Sequence, residues 1–437
     1  MLNTILRFIK QFIPSQLFQK LQPTYHYLLS LVGAVIYRFP SRHIHVVGIT
    51  GTKGKSSTAE LVNAVLEASG HKTAVLGTIR FKIADTETRN LYKMTMPGRF
   101  FVQKFLRDAV NAQCDWAIIE MTSEGAKQFR QKWIDMDALI FTNLAPEHLE
   151  SHGSFEKYKD AKLSIARQLA RSHKKNTAII ANADDLEGHL FLECGADRAI
   201  PFRLTDAKPY TQTTSGYEFG FEGTRIHLSI PGLFNVYNAL AAAAFARSQN
   251  ILARHIKEGL EHVTRIPGRA EFIREGQAFD VVVDYAHTPD SLKSVYEAFS
   301  LARVIGVLGN TGGGRDTWKR PEMARIAERS CEHIILTNED PYDEDPEKIL
   351  EEMSAGIQDK TKLSIILDRR QALREALNMA QTMSSANTRQ RVVVLITGKG
   401  TDPFIMGPNG SKQAWDDATV VREELQNSLN QPPNSNP

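Results

Sequence analysis

The sequence predicts an α/β protein: a central phosphate-loop domain on a mostly parallel sheet, a C-terminal Rossmann-like domain, and a short helical N-terminal segment. Three observations predict it. From residue 43, β-branched runs alternate with helical stretches, which argues for a parallel sheet covered on both faces. The run "GITGTKGKSST" (48–58) lies between a strand and a helix, where a glycine turn can hold phosphate. A second alternating series begins beyond Pro267-Gly268, which punctuates the chain.

The elements follow in order. Residues 1–42 read as helical: "MLNTILRFIKQFIPSQLFQK" is basic and amphipathic, and "YHYLLSLVGAVIYRF" follows it. The second run contains His26 and falls short of the ~20 apolar residues a spanning helix needs. No small-residue cleavage site follows, which argues against a signal peptide. These helices are expected to pack on the body, with contact to a membrane surface as the alternative.

The central domain is expected over 43–266. "HIHVVGIT" (43–50) reads as its first strand; Ser56–Ser69 reads as a helix with Leu61, Val62, Val65 and Leu66 on one face, stopped by Gly70. "KTAVLGT" (72–78), "WAIIEM" (116–121), "DALIFTNL" (137–144) and "TAIIANAD" (177–184) read as buried strands, "YEFGFEGTRIHLSI" (217–230) as a hairpin, and "NVYNALAAAAFARS" (235–248) as a helix. The last domain, 267–425, should use "DVVVDYAH" (280–287), "RVIGVLGN" (303–310), "HIILTNED" (333–340) and "RVVVLITGKG" (391–400) as strands. The polar tail 426–437 is expected to be disordered.

Composition narrows the class. Apolar residues at 42% and charged residues at 24% are those of an ordinary globular protein, and a net charge of +3 is too small to argue for nucleic acid. Cys114, Cys194 and Cys331 are too far apart for a CxxC metal site or a disulfide framework and suit a reducing cytoplasm.

The loop departs from GxxxxGK[ST]: the first glycine would stand at 49, where Ile49 is found, and the glycines fall at Gly48 and Gly51. Its chemistry is nonetheless complete. Gly51, Thr52, Lys53, Gly54, Lys55, Ser56 and Ser57 can cradle the phosphates of ATP; Lys55 can neutralise the β- and γ-phosphates, and Ser56 can ligate Mg²⁺. The plain alternative is a tight strand-to-helix turn.

"GTxGK[ST]" after a strand resembles the Mur ligases and folylpolyglutamate synthases, which join an amino acid to a carboxylate with ATP. "TNLAPEHLESHGSFEKYKDAK" (142–162), "IPGRAE" (266–271), "VVDYAHTPDSL" (282–292), "GGGRDTWKRPEM" (312–323) and "LITGKG" (395–400) extend the likeness over roughly 44–423. In that order they look most like the MurE type, which adds the third residue to the muramoyl peptide.

That resemblance implies a carboxylate attacking the γ-phosphate, then an amine displacing phosphate from the acyl phosphate. It implies ATP and two Mg²⁺ ions. Ser56 and Glu120, the latter ending "WAIIEM", would hold one ion; His148 and a carbamylated Lys162 would hold the second. Thr122 and Ser123 in "EMTSEG" match a hydroxyl pair at the substrate, and Thr95, Met96 and Pro97 match the stretch contacting the muramoyl peptide. Asn235 and Asn238 would face adenine, Asp284 the ribose, and Arg269 the γ-phosphate. Lys319 and Arg320 match a basic pair near the phosphates. Read without the family, Lys162 is a solvated helix lysine, Asn238 a helix cap and Asp284 a turn residue. "HLESH" (148–152) could suggest zinc, but HExxH needs glutamate where Leu149 stands.

Three departures shape the expectation. The family's UDP-binding N-terminal domain has ~80–100 residues, whereas the loop here begins at Gly48, so that domain is expected to be absent. The family's "DNPR" is "EDPY" (339–342), with Tyr342 for the arginine that grips a distal carboxylate. "GKGHE" becomes "GKGTD", with Asp402 for glutamate. Diaminopimelate is therefore expected to be unlikely as the added residue, with Glu339, Asp340 and Asp402 available for a distal ammonium. The partners implied are a UDP-muramoyl-peptide-like acceptor and a free amino acid, taken by a cytoplasmic monomer without nucleic acid. A relative acting on another carboxylate, folylpolyglutamate synthase-like or polyglutamate synthase-like, is the second reading. An inactive ATP-binding scaffold is the third.

Overall fold

The computed structural model describes residues 15–147, 149–314, 316–385 and 390–429. It divides into two compact units: up to 147, 152–206 and 238–259 in the first; 148–151, 207–237 and 260 onward in the second.

The first unit is built on an eight-stranded sheet of order β4-β3-β2-β5-β1-β6-β7-β8. Its strands are β1 (His45–Thr50), β2 (Thr73–Leu76), β3 (Arg80–Ile83), β4 (Thr86–Arg89), β5 (Trp116–Glu120), β6 (Ala138–Phe141), β7 (Ala178–Asn182) and β8 (Arg198–Phe202). From β2 to β8 all neighbours are parallel; β3 and β4 add an antiparallel edge. The parallel strands are β-branched and almost wholly buried because helices such as Lys55–Ala68 and Phe155–Leu169 cover both faces. β1 lies between β5 and β6, so chain crossovers diverge at its C-terminal end, where open α/β sheets bind ligands. The β3–β4 hairpin has no clear signal in the sequence; Thr86–Arg89 is exposed throughout and carries no apolar alternation.

The N-terminal expectation of packed helices holds for Ser15–Ile36. Trp133 Nε1 donates to Ser30 Oγ at 3.2 Å, Tyr27 meets Phe129 edge-on, and Gly33 lies against Phe100 of the helix Arg99–Asn111. Residues 1–14 lie outside the described residues. Among the described residues no helix is long and apolar enough to cross a membrane.

The second unit centres on a six-stranded sheet of order β12-β13-β17-β14-β15-β16, where β12 is the Glu271–Ile273 strand, β13 Asp280–Val283, β14 Arg303–Leu308, β15 His333–Leu336, β16 Leu363–Ile365 and β17 Val392–Ile396. Only β12 runs antiparallel. Two apolar cores flank this sheet. Residues 207–237, expected with the central domain, cluster here instead. Their small sheet, β9 (Tyr210–Gln212), β10 (Tyr217–Phe221) and β11 (Thr224–Leu228), is tied to this unit by polar bonds. Arg391 Nη1 donates to Thr214 O at 3.0 Å, and Gln212 Nε2 to Ala298 O at 3.2 Å.

The C-terminal helix Asp417–Leu429 corrects the disorder expected from 426. Leu425 is buried on the core and Gln426 reaches Glu275 Oε2 at 3.2 Å, which anchors the final turns. Residues 430–437 lie outside the described residues.

Candidate active site

The loop begins where β1 stops. Gly51 has φ +147° and Gly54 has φ +83°. A Cβ on Gly51 would stand 1.9 Å from Thr142 Oγ1, and one on Gly54 2.3 Å from Asn238 Oδ1, so side chains are excluded at both. Gly54 caps the helix Lys55–Ala68 without a side-chain acceptor, which leaves a dipole end suited to an anion. Thr52 and Lys53 anchor the loop instead. Their amides donate to Asn143 O at 2.8 Å and Asn143 Oδ1 at 2.9 Å.

Two lysines converge on one carbonyl. Lys55 Nζ donates to Gly51 O at 2.8 Å and to Thr52 O at 2.9 Å; Lys162 Nζ donates to Gly51 O at 2.6 Å. Lys162 is buried beside the Tyr158 ring, with Nζ 4.8 Å from its centroid. Burial, and then the Lys55 charge, push its pKa far down, against the pull of Glu147. It is therefore not a solvated helix lysine.

Glu120 emerges at the C-terminal edge of the sheet, in register with Ile49. Its Oε2 accepts from Ser56 Oγ and from Thr78 Oγ1, each at 3.0 Å, and its Oε1 accepts from Thr78 N at 2.8 Å. Thr78 Oγ1 in turn lies 2.8 Å from Thr95 Oγ1. Thr78 is the site residue that sequence reasoning missed. Its only signal was a hydroxyl one step past the glycine ending "AVLG".

The other expected residues fall variously. Thr122 Oγ1 accepts from Gly125 N at 3.0 Å and so caps the helix Ser123–Lys127; Ser123 is buried beside it. Met96 is turned into the apolar core, while Pro97 is half-buried. Asn238 Oδ1 accepts from Thr58 Oγ1 at 3.3 Å. His148 lies outside the described residues. His152, its partner in "HLESH", has Nε2 3.2 Å from Glu124 Oε1.

In the second unit, Asn235 Nδ2 donates to Pro231 O at 2.7 Å. Asp284 accepts from Ala270 N at 2.6 Å and Ala286 N at 2.7 Å, clamping the turn after Gly268; burial raises its pKa against the pull of Arg269. Arg269 stacks on Tyr285 at 4.5 Å. Lys319 opens the helix Lys319–Ser330, and Arg320 bridges Glu344 and Glu352 at 2.7 Å each. Asp340 Oδ1 accepts from Lys399 Nζ at 2.8 Å, and Asp402 Oδ2 from the same ammonium at 3.1 Å. Glu339 Oε1 accepts from Thr311 Oγ1 at 2.9 Å, and its buried Oε2 has no hydrogen-bond partner among the described residues. Tyr342 N donates to Met406 O at 3.0 Å.

The donor set fits the groups expected. Glu120, Ser56 and Thr78 offer hard oxygens, which Mg²⁺ prefers. The paired glycines and uncapped helix end fit a phosphate chain.

Residues 49–246 match the Mur ligase middle domain, and residues 268–400 match the Mur ligase glutamate ligase domain. The UDP-N-acetylmuramoyl-L-alanyl-D-glutamate–2,6-diaminopimelate ligase of Syntrophomonas wolfei is 32% identical over 418 residues, 92% of this chain and 82% of that protein. The chain belongs to the Mur ligase family. It is thus an ATP-dependent amide ligase of peptidoglycan synthesis, served by ATP and Mg²⁺ as the family is. The Bacillus velezensis ligase of the same name is 35% identical over 407 residues, covering 90% of this chain and 80% of that protein. A solved diaminopimelate ligase structure aligns with TM-score 0.60 at 26% identity, over 89% of this chain and 79% of that one. Folylpolyglutamate synthase of Mycobacterium tuberculosis aligns with TM-score 0.66 at 17% identity, over 93% and 95% of the chains, which shows the fold alone.

These Mur ligase relatives overturn the expectation that diaminopimelate is unlikely. That expectation rested on Tyr342 standing where the family's arginine grips a distal carboxylate, and it took three acids as free for a distal ammonium. Two of them, Asp340 and Asp402, already share the single buried ammonium of Lys399. Diaminopimelate also carries an ammonium at its distal end, so acids there do not discriminate against it.

Proposed function

We propose that the chain joins an amino acid to the carboxylate of a UDP-N-acetylmuramoyl-L-alanyl-D-glutamate-type acceptor, with 2,6-diaminopimelate as the amine. The relatives' names support this choice of substrates. The observation that carries the chemistry is Glu120 fixed by Ser56 and Thr78 at the mouth of the loop. Phosphoryl transfer asks mainly for positioning and charge neutralisation. Gly51, Gly54 and the helix end orient the phosphate chain. Lys55 spreads the negative charge that develops on it. Glu120, Ser56 and Thr78 are the residues to hold Mg²⁺, which supplies electrostatic stabilisation to the phosphates. The acceptor carboxylate takes the γ-phosphoryl group and ADP leaves. The amine then attacks the acyl carbon, loses a proton, and phosphate departs.

Lys162 belongs to the same reading as a carbamate. Burial next to Lys55 favours its neutral amine, which can add to CO₂ with loss of a proton. The product is an anion where two cations would otherwise repel. His148 with this carbamate is the candidate pair for a second Mg²⁺. Thr95 and Pro97 are the candidates for the peptide, and the segments around Glu339 and Lys399 for the amino acid. The setting is the cytoplasm, consistent with three free cysteines.

Phosphate release with the UDP-muramoyl-dipeptide and a panel of amino acids tests the proposal. Turnover dependent on both, highest with diaminopimelate, is the expected result. ATP binding with no turnover on any acceptor would instead establish a scaffold. Turnover confined to folyl- or polyglutamate acceptors would establish the second reading.

A further inference from the structure

The helix Ser15–Ile36 has two unlike faces. His26, Ser30, Gly33 and Ala34 point into the first unit, and Ser30 and Ala34 are fully buried. On the opposite arc Tyr25, Leu28, Val32, Val35 and Ile36 stand in water at 42%, 53%, 46%, 55% and 59% exposure. At 3.6 residues per turn these five fall within one stripe. A single exposed leucine means little; a continuous apolar stripe asks for a partner.

Charge says which partner. The first acidic residue of the chain is Glu60, while Arg7, Lys10, Lys20, Arg38 and Arg42 precede it. Arg42 is paired with Asp135; Arg38 is exposed where the helix ends. A second copy would set this run of bases, free of acids before Glu60, against the same run. The chain's own first residues carry the same sign. An anionic phospholipid surface answers both the apolar stripe and the positive charge, with tyrosine suited to the interface.

We propose that this helix docks the protein flat on an anionic phospholipid surface, with Leu28, Val32 and Val35 entering the acyl boundary. The anchoring is peripheral, since no described helix can span a bilayer.

Cosedimentation of the full chain with phosphatidylcholine vesicles, with and without phosphatidylglycerol, tests it. Binding is expected only to the anionic vesicles. It should weaken with salt and fall about tenfold or more in the Leu28→Glu/Val32→Glu double variant. Neither residue touches the phosphate loop, so ATP-analogue binding should persist in that variant and report intact folding. Absence of binding to anionic vesicles overturns the proposal, as does equal binding by the double variant. A dimer that the double substitution dissolves, without vesicle binding, assigns the stripe to a second copy and also overturns it. Binding that emerges only after removal of residues 1–14 shows that the chain covers its own stripe, and overturns it equally.

Discussion

Glu120 accepts three hydrogen bonds as a carboxylate; Gln can keep Thr78 N on its oxygen but turns its amide nitrogen to the two hydroxyls, which must then accept, so the charge-assisted bonds are lost. Glu120→Gln is expected to cost about 1–3 kcal/mol of stability and roughly 100-fold or more in kcat. Steady-state kinetics and thermal melts check both. Thr78→Val keeps the shape and removes the hydroxyl; the Mg²⁺ concentration for half-maximal activity should rise severalfold while KM for ATP moves less. An unchanged Mg²⁺ requirement would make Thr78 a structural prop only. Lys162→Met should abolish most turnover yet leave Tm unchanged or higher, since an amine that burial strips of its charge is replaced by an apolar chain and Gly51 O keeps its bond from Lys55. Carbon-13 bicarbonate should give a carbamate resonance in the natural protein and none in Lys162→Met. Of this candidate site, the loop glycines, Lys55 and Ser56 could be proposed from the sequence because phosphate chemistry asks for their types, whereas Lys162 entered only through the family resemblance. Thr78 could not be proposed, because a lone hydroxyl in a turn has many uses and only the fold brings it to Glu120.

At the scale of elements, the helix Ser15–Ile36 rests on the helix Arg99–Asn111 through His26, whose Nδ1 lies 2.5 Å from Arg99 Nη2. Burial, then Arg99 and Arg130, hold the His26 pKa down at about 4. The sign follows: the docked helix needs the neutral ring, so docking is undisturbed above pH 6.5 and weakens as pH falls from there towards 4. Trp133 reports the event, because its ring faces Tyr27 at 5.6 Å and its Nε1 bonds Ser30. Its emission should shift over that window in the natural protein and stay flat in His26→Gln. A pH-independent emission in both would remove His26 from the docking energetics. The sequence showed that this segment was helical and apolar on one side. It could not say which arc would be buried: the small Ser30, Gly33 and Ala34 face the body, and the larger Leu28, Val32, Val35 and Ile36 stay exposed.

For the whole molecule, two units with separate apolar cores predict unfolding in more than one step. Differential scanning calorimetry should give a calorimetric enthalpy above the van't Hoff value. Arg369 and Asp417 form a buried pair in the second unit, with two contacts of 2.8 Å, and Trp415 Nε1 adds a third bond to Asp417. Arg369→Ala should cost about 3–5 kcal/mol and move one component of the transition. Gly51→Ala, which forces a Cβ onto Thr142, should move the other. A single component shifted alike by both changes would show one cooperative unit instead.

The sequence by itself determined the alternation that makes parallel sheets, the strand-loop-helix that seats a phosphate, and the family those motifs belong to. These are local patterns whose period and residue types carry their own physical reason. Tertiary structure decided the rest. It paired Thr78 with Glu120 across 42 positions and set Lys162 against Gly51 across 111. It also gave Asp340 and Asp402 to Lys399, so acids that read as free for a substrate proved to share one buried ammonium. Charge balance in a buried site depends on which side chains meet, and that is settled only when the chain closes on itself.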